Sequence, residues 1–189
     1  MVKHNCVTVT PGFWILLCFL LFFGGNAAAC FLAAAALHEL GHYLALRLLG
    51  IRVRGLTLGG EGGVLCADLT GELREAWAVF AGPGMNLLLY ACFRGLQPEF
   101  SLCNLLLAAY NLLPVYPLDG GRLCRMILPL LFGAAGETAC LALSHLVLAA
   151  AVFCGVYATC VLHLGLLPCV ASAAFLLRLG SCQTARRML

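Results

Sequence analysis

Residues 38 to 42 read His-Glu-Leu-Gly-His. On an α-helix, positions four apart project from nearly one face, so His38 and His42 can aim both imidazoles at one metal ion while Glu39 stands beside them to move protons. That is the pattern of a helical zinc site that activates water for hydrolysis. An ordinary buried hydrogen-bonded pair of His38 and Glu39 is the plainer account. It leaves a second histidine in the same apolar run unexplained, and ionisable groups in such runs are costly.

A catalytic zinc usually takes three protein ligands and keeps one position for water. Of the eight carboxylates in the chain, Glu61, Asp68, Glu72, Glu75, Glu99 and Glu137 fall in loops or at the ends of apolar runs. Glu39 and Asp119 remain for a buried role, so Asp119 is expected to be the third ligand. The plainer role for Asp119 is to cap a helix over 123–131. Two amides lie in apolar surroundings with two readings each. Asn86 either donates a hydrogen bond to a developing oxyanion or ties two helices together. Asn111 either orients a ligand or makes an interhelical bond. His145 and His163 lie outside any ligand spacing and read as packed or interfacial residues, and His4 as a tail residue.

The elements that hold these residues are set by composition. The chain has 189 residues, 63% of them hydrophobic and only 10% charged, with a mean hydropathy of +1.01. This is an integral membrane protein rather than a soluble domain. None of the twelve cysteines lies in a Cys-x-x-Cys pair and most fall within apolar runs, so they read as reduced small hydrophobes. The amino-terminal stretch has the form of a secretory signal, but the apolar residues after it begin the next helix, so a retained first span is expected.

Stretches of about 20 mostly apolar residues mark membrane spans. Six are expected in one membrane-embedded domain over 1–189, at about 12–25, 27–49, 76–93, 102–119, 138–160 and 163–180. The last boundary is soft, because the final apolar run offers a turn either near Gly155 or at 163–168. With both termini cytoplasmic, only Arg94 among the eleven basic residues falls outside, as the positive-inside rule requires. The basic tail then calls for no nucleic-acid partner. Residues 50–72 form the longest polar insert, with partial period-two alternation around a Gly-Gly-Glu-Gly-Gly centre. It reads as a short β-ribbon at the cytoplasmic face, between spans two and three. The ribbon offers either an edge for an extended substrate strand or a flexible linker. The fold class expected is thus an all-α polytopic membrane protein with this one ribbon.

Depth tests the ligand set. At ~1.5 Å per residue, His38 and His42 lie roughly 10 to 17 Å from the cytoplasmic end of their span. A straight fourth span would carry Asp119 too close to the cytoplasm. Pro114 and Pro117 remove backbone donors just before it, so the chain is expected to unwind there and turn back. Unwound backbone at membrane depth is tolerated where it is buried in protein or lines a wet cavity, which points to a site.

Three segments, His38-Glu39-Leu40-Gly41-His42, Gly82-Pro83-Gly84-Met85-Asn86 and the run from Asn111-Leu112-Leu113-Pro114 through Leu118-Asp119-Gly120-Gly121-Arg122, together resemble the site-2 protease family of intramembrane zinc metalloproteases. The small size and the Leu-Asp-Gly-Gly-Arg form are most similar to the stage IV sporulation protein FB branch. The resemblance implies one zinc on His38, His42 and Asp119, Glu39 as catalytic base, and a bacterial cell membrane. It further implies a protein substrate with a transmembrane or membrane-proximal segment, such as a precursor sigma factor processed in sporulation, and a regulatory membrane protein as partner. Residues 50–72 leave no room for the PDZ domain of larger relatives, and no CBS domain is expected. The resulting expectation is a metalloendopeptidase in which Asn86 shares the oxyanion with zinc. The alternative is a membrane metal-ion transporter or binding protein using the same three ligands. An inactive relative that binds substrates without cutting them is a further one. No inverted repeat supports transport, and a transporter has no need of Glu39.

Overall fold

A computed structural model describes residues 6–23, 25–59, 62–67 and 73–160. In chain order the elements are β1 (Cys6–Val9), α1 (Pro11–Phe23), α2 (Gly25–Leu48), β2 (Val53–Gly59), β3 (Gly62–Ala67), α3 (Leu73–Phe93), α4 (Pro98–Asn111), α5 (Asp119–Phe132) and α6 (Ala134–Cys160). They divide into two compact units, Met1–Leu112 and Leu113–Leu189. Among the described residues, three helical segments are long and apolar enough to cross a membrane: Gly25–Leu48, Arg74–Phe93 and Ala134–Tyr157. The sixth expected span, His4, His163 and the turn expected at 163–168 lie outside the described residues, while α6 runs on through Gly155, so the chain does not turn there.

In the first unit, α2, α3 and α4 pack against one another. Glycine permits the closest approach between α2 and α3. A Cβ on Gly41 would lie 2.6 Å from the Ala81 carbonyl oxygen, so only a hydrogen fits at that crossing. The end of α2 is fixed by a Schellman motif. Gly50 takes φ +71°, the Ile51 amide bonds the Leu46 carbonyl at 2.9 Å, and the Gly50 amide bonds that of Arg47 at 3.1 Å. The hydrophobic contact that accompanies this motif is also present: Leu46, Ile51 and Ala78 form a buried apolar cluster. This turn sends the chain from α2 into the sheet and seats α3 beside the last turns of α2.

The ribbon expected over 50–72 is β2 and β3, paired antiparallel. The expectation of a two-stranded ribbon is corrected by β1, which pairs parallel with β2, so the sheet order is β1-β2-β3. The Thr8 and Thr57 hydroxyls lie 3.2 Å apart across that pair. Both edges of β2 are therefore occupied, and an added strand can pair only with the outer edge of β1 or β3.

The expected fourth span, 102–119, is also corrected. Helix α4 starts earlier, with Pro98 in its first turn, and stops at Asn111. Pro114 and Pro117 cannot donate to a helical ladder and bias the residues before them away from helix. Residues 112–118 are accordingly irregular, with a cis Tyr116–Pro117 bond. Helices α1, α2, α3 and α6 begin and end within four residues of the expected stretches, and of these α2, α3 and α6 contain the segments long and apolar enough to cross a membrane. The eight cysteines whose side chains are described are all free thiols, as expected.

Candidate metal centre

The first unit brings His38, His42 and Asn86 together. Their side chains come from facing stretches of α2 and α3, and His38 and Asn86 are buried. The two Nε2 atoms are 3.1 Å apart. His42 Nδ1 lies 2.8 Å from the Ala78 carbonyl oxygen. That oxygen can only accept, so His42 carries its proton on Nδ1. His38 Nδ1 lies 2.6 Å from Asn86 Oδ1, so His38 likewise donates from Nδ1. With each Nδ1 directed at an oxygen acceptor, both Nε2 atoms face the same point. Two imidazoles each ~2.05 Å from a tetrahedral ion hold their nitrogens roughly 3.3 Å apart. The donor set fits one zinc, and each ligand's far nitrogen is tied to an oxygen, as is usual for metal-bound histidines.

The sequence around Pro83 makes this possible. Proline has no N–H to give the Val79 carbonyl, which loosens the α3 ladder in the turn that offers Ala78 to His42. Gly82 is buried, and a Cβ there would fall on the His42 ring. Its missing side chain is the space the imidazole occupies.

Asn86 is completely buried. Its Nδ2 donates to the Ala34 carbonyl at 3.2 Å and to Asn104 Oδ1 at 2.8 Å, and its Oδ1 accepts from His38. These bonds use both amide protons and set Oδ1 against His38. Asn104 was not singled out by sequence, because a lone amide in an apolar helix carries no spacing signal. Asn111 bonds back to the Leu107 carbonyl of its own helix at 3.1 Å.

Glu39 is half-buried and lines a cavity of about 340 Å³ together with Ala36, Leu40, Tyr43, Val7, Val53, Gly55, Leu56 and Leu65. Apart from Glu39 the lining is almost wholly apolar. Eliminating carboxylates by position overlooks Glu75, which is 1% exposed in the first turn of α3, where the helix dipole favours a negative charge.

In the second unit, Asp119 is the first residue of α5 and is buried with Gly120 and Gly121. The loop before it folds back onto this turn. A Cβ on Gly121 would strike the backbone of Val115 and Tyr116, and the Leu118 amide bonds the Val115 carbonyl at 2.9 Å. The Ser144 hydroxyl of α6 lies 2.7 Å from the Pro114 carbonyl oxygen, and the Arg125 guanidinium stacks 4.1 Å over the Tyr116 ring. The irregular segment thus holds Asp119 in a defined place. His145 is exposed and bonds the Leu141 carbonyl at 2.7 Å, consistent with an interfacial residue.

The fold is that of a site-2 protease. A solved structure of the site-2 protease from Methanocaldococcus jannaschii matches 92% of this chain and 88% of that one, with a TM-score of 0.66 and 19% identity. Among curated proteins, the zinc metalloprotease MJ0392 of the same organism is 32% identical over 67% of this chain and 38% of its own length. Stage IV sporulation protein FB of Bacillus subtilis is 31% identical over 64% of this chain and 47% of its own. No family model matches the sequence. The chain belongs to the site-2 protease family, and spans less than half the length of these two curated relatives.

Proposed function

We propose that the protein is an intramembrane zinc metalloprotease that hydrolyses a peptide bond in a membrane-embedded or membrane-proximal segment of another protein. The observation that carries this reading is the convergence of the two Nε2 atoms at 3.1 Å, with both Nδ1 atoms directed at oxygen acceptors. Asp119 is the proposed third ligand, because its loop is built to fix it and a catalytic zinc takes three. The charge distribution supports six spans with both termini cytoplasmic, and the three long apolar helices support a membrane setting.

Zinc, when bound, supplies a Lewis acid that brings the pKa of water down to about 7. Glu39 takes the proton from the attacking water and returns it to the departing amine. The substrate must be extended, since a helical peptide bond is hidden in its own hydrogen-bond ladder. The outer edge of β1 or β3 supports such a strand by main-chain pairing. An apolar side chain of the substrate enters the cavity beside Glu39. The similarity to the sporulation protein favours a membrane-associated regulatory precursor as substrate, with a bacterial cell membrane as the setting.

The test is cleavage of a single-span model substrate co-reconstituted in liposomes, with the cut mapped by mass spectrometry. A cut in or next to the span, abolished by 1,10-phenanthroline and restored by added zinc, is expected. Zinc flux across the vesicles without any cut would instead establish a transporter. A second expectation concerns the cavity: Ala36→Phe should lower kcat/KM about tenfold or more, mainly through KM, by filling space that a substrate side chain needs. Zinc content should not change. Unaltered kinetics would exclude the cavity as a substrate site.

A further inference from the structure

We infer that Asn104, on α4, is a positioning residue that fixes the tautomer of His38 through Asn86. Asn104 lies outside the segments that carry the family resemblance, which α4 meets only at its last residue, Asn111. The inference extends the zinc reading, since its consequence is a metal-facing nitrogen free of a proton.

The chain of bonds has one solution. Asn104 is completely buried, and its Nδ2 donates to the Phe100 carbonyl at 2.8 Å. A backbone carbonyl cannot donate, so the amide cannot be turned the other way. Asn104 Oδ1 therefore faces α3 and accepts one proton of Asn86 Nδ2 at 2.8 Å. The other proton of Asn86 goes to the Ala34 carbonyl at 3.2 Å, again a pure acceptor. What remains for His38 is Asn86 Oδ1, at 2.6 Å. An oxygen acceptor there requires the proton on Nδ1 and leaves the lone pair on Nε2, the atom that faces His42.

Without Asn104 that logic weakens. The shorter of the two bonds orienting Asn86 is lost, and a buried N–H is left without an acceptor, which is costly. Asn86 is then held only by its longer bond to the Ala34 carbonyl, and turning the amide over at the expense of that bond would present Nδ2 to His38. His38 would then accept at Nδ1 and carry its proton on Nε2, where it competes with a metal ion. The effect reaches a ligand from a residue two hydrogen bonds away, and it needs α2, α3 and α4 in register.

The test reads the tautomer directly in metal-free protein labelled with ¹⁵N-histidine in detergent micelles at alkaline pH. Two-bond nitrogen–proton correlations should show wild-type His38 protonated on Nδ1. Asn104→Leu, close in volume, should shift His38 toward the Nε2–H form and weaken zinc binding about 10- to 100-fold in a chelator competition. An Nε2–H tautomer in the wild type would overturn the inference even if Asn104→Leu does not fold. So would Asn104→Leu with an unchanged tautomer and zinc affinity. Absence of zinc binding by the wild type would count against the metal reading instead, while the tautomer comparison would still decide the role of Asn104.

Discussion

Replacing Gly82 with alanine is expected to strip the protein of zinc, and of cleavage with it, while leaving it inserted and folded. One methyl group has this effect because its place is already taken by the His42 imidazole. The helices cannot part to make room, since Gly41 of α2 rests against the Ala81 carbonyl one residue away, where even a Cβ would be 2.6 Å from the oxygen. Overpacking at such a site costs about 1–3 kcal/mol when the backbone must yield. The side chain yields more easily, so His42 should rotate away and lose its bond to the Ala78 carbonyl. Zinc measured by plasma mass spectrometry should fall at least about tenfold at fixed free zinc. Gly84→Ala is the control, because a Cβ there meets only the Phe80 ring at 3.5 Å. Full zinc in Gly82→Ala would mean that His42 is not held where the structure has it.

Glu39→Gln should separate binding from chemistry. The amide keeps the size and polarity of the carboxylate but cannot take a proton from water, and loss of a general base typically costs 10²- to 10⁴-fold, so a drop of about that size is expected in kcat. Zinc content should stay at the wild-type level, since Glu39 is not among the proposed ligands. The KM should change little. Cleavage within about threefold of wild type would remove Glu39 from the mechanism.

The His38–His42 helix and the break before Asp119 were legible because each rests on local chemistry: residue type at helical spacing in the first case, paired prolines in the second. Helix ends were less so. Leu112, Leu113, Val115 and Leu118 keep the fourth run apolar past the point where proline stops the helix, so hydropathy extends the span to 119 when α4 ends at Asn111. Strand β1 escaped because four residues carry little alternation and its partner lies 49 positions away at Thr8 and Thr57. The partners of Asn86 were not legible, because Ala34 and Asn104 come from two other helices. Gly82 stood in a recognisable segment, yet its purpose appears only once His42 is seen lying against it.

The central claim is that His38, His42 and Asp119 hold one catalytic zinc. The most direct measurement is X-ray absorption at the zinc edge on purified wild type beside His38→Ala and Asp119→Ala. The account predicts about one zinc per chain, with nitrogen and oxygen neighbours at roughly 2.0–2.1 Å and two imidazoles in the wild type. One imidazole should vanish in His38→Ala, and binding should weaken in Asp119→Ala with both imidazoles retained. A sulfur shell near 2.3 Å, or a spectrum indifferent to these substitutions, would place the zinc elsewhere and contradict the account.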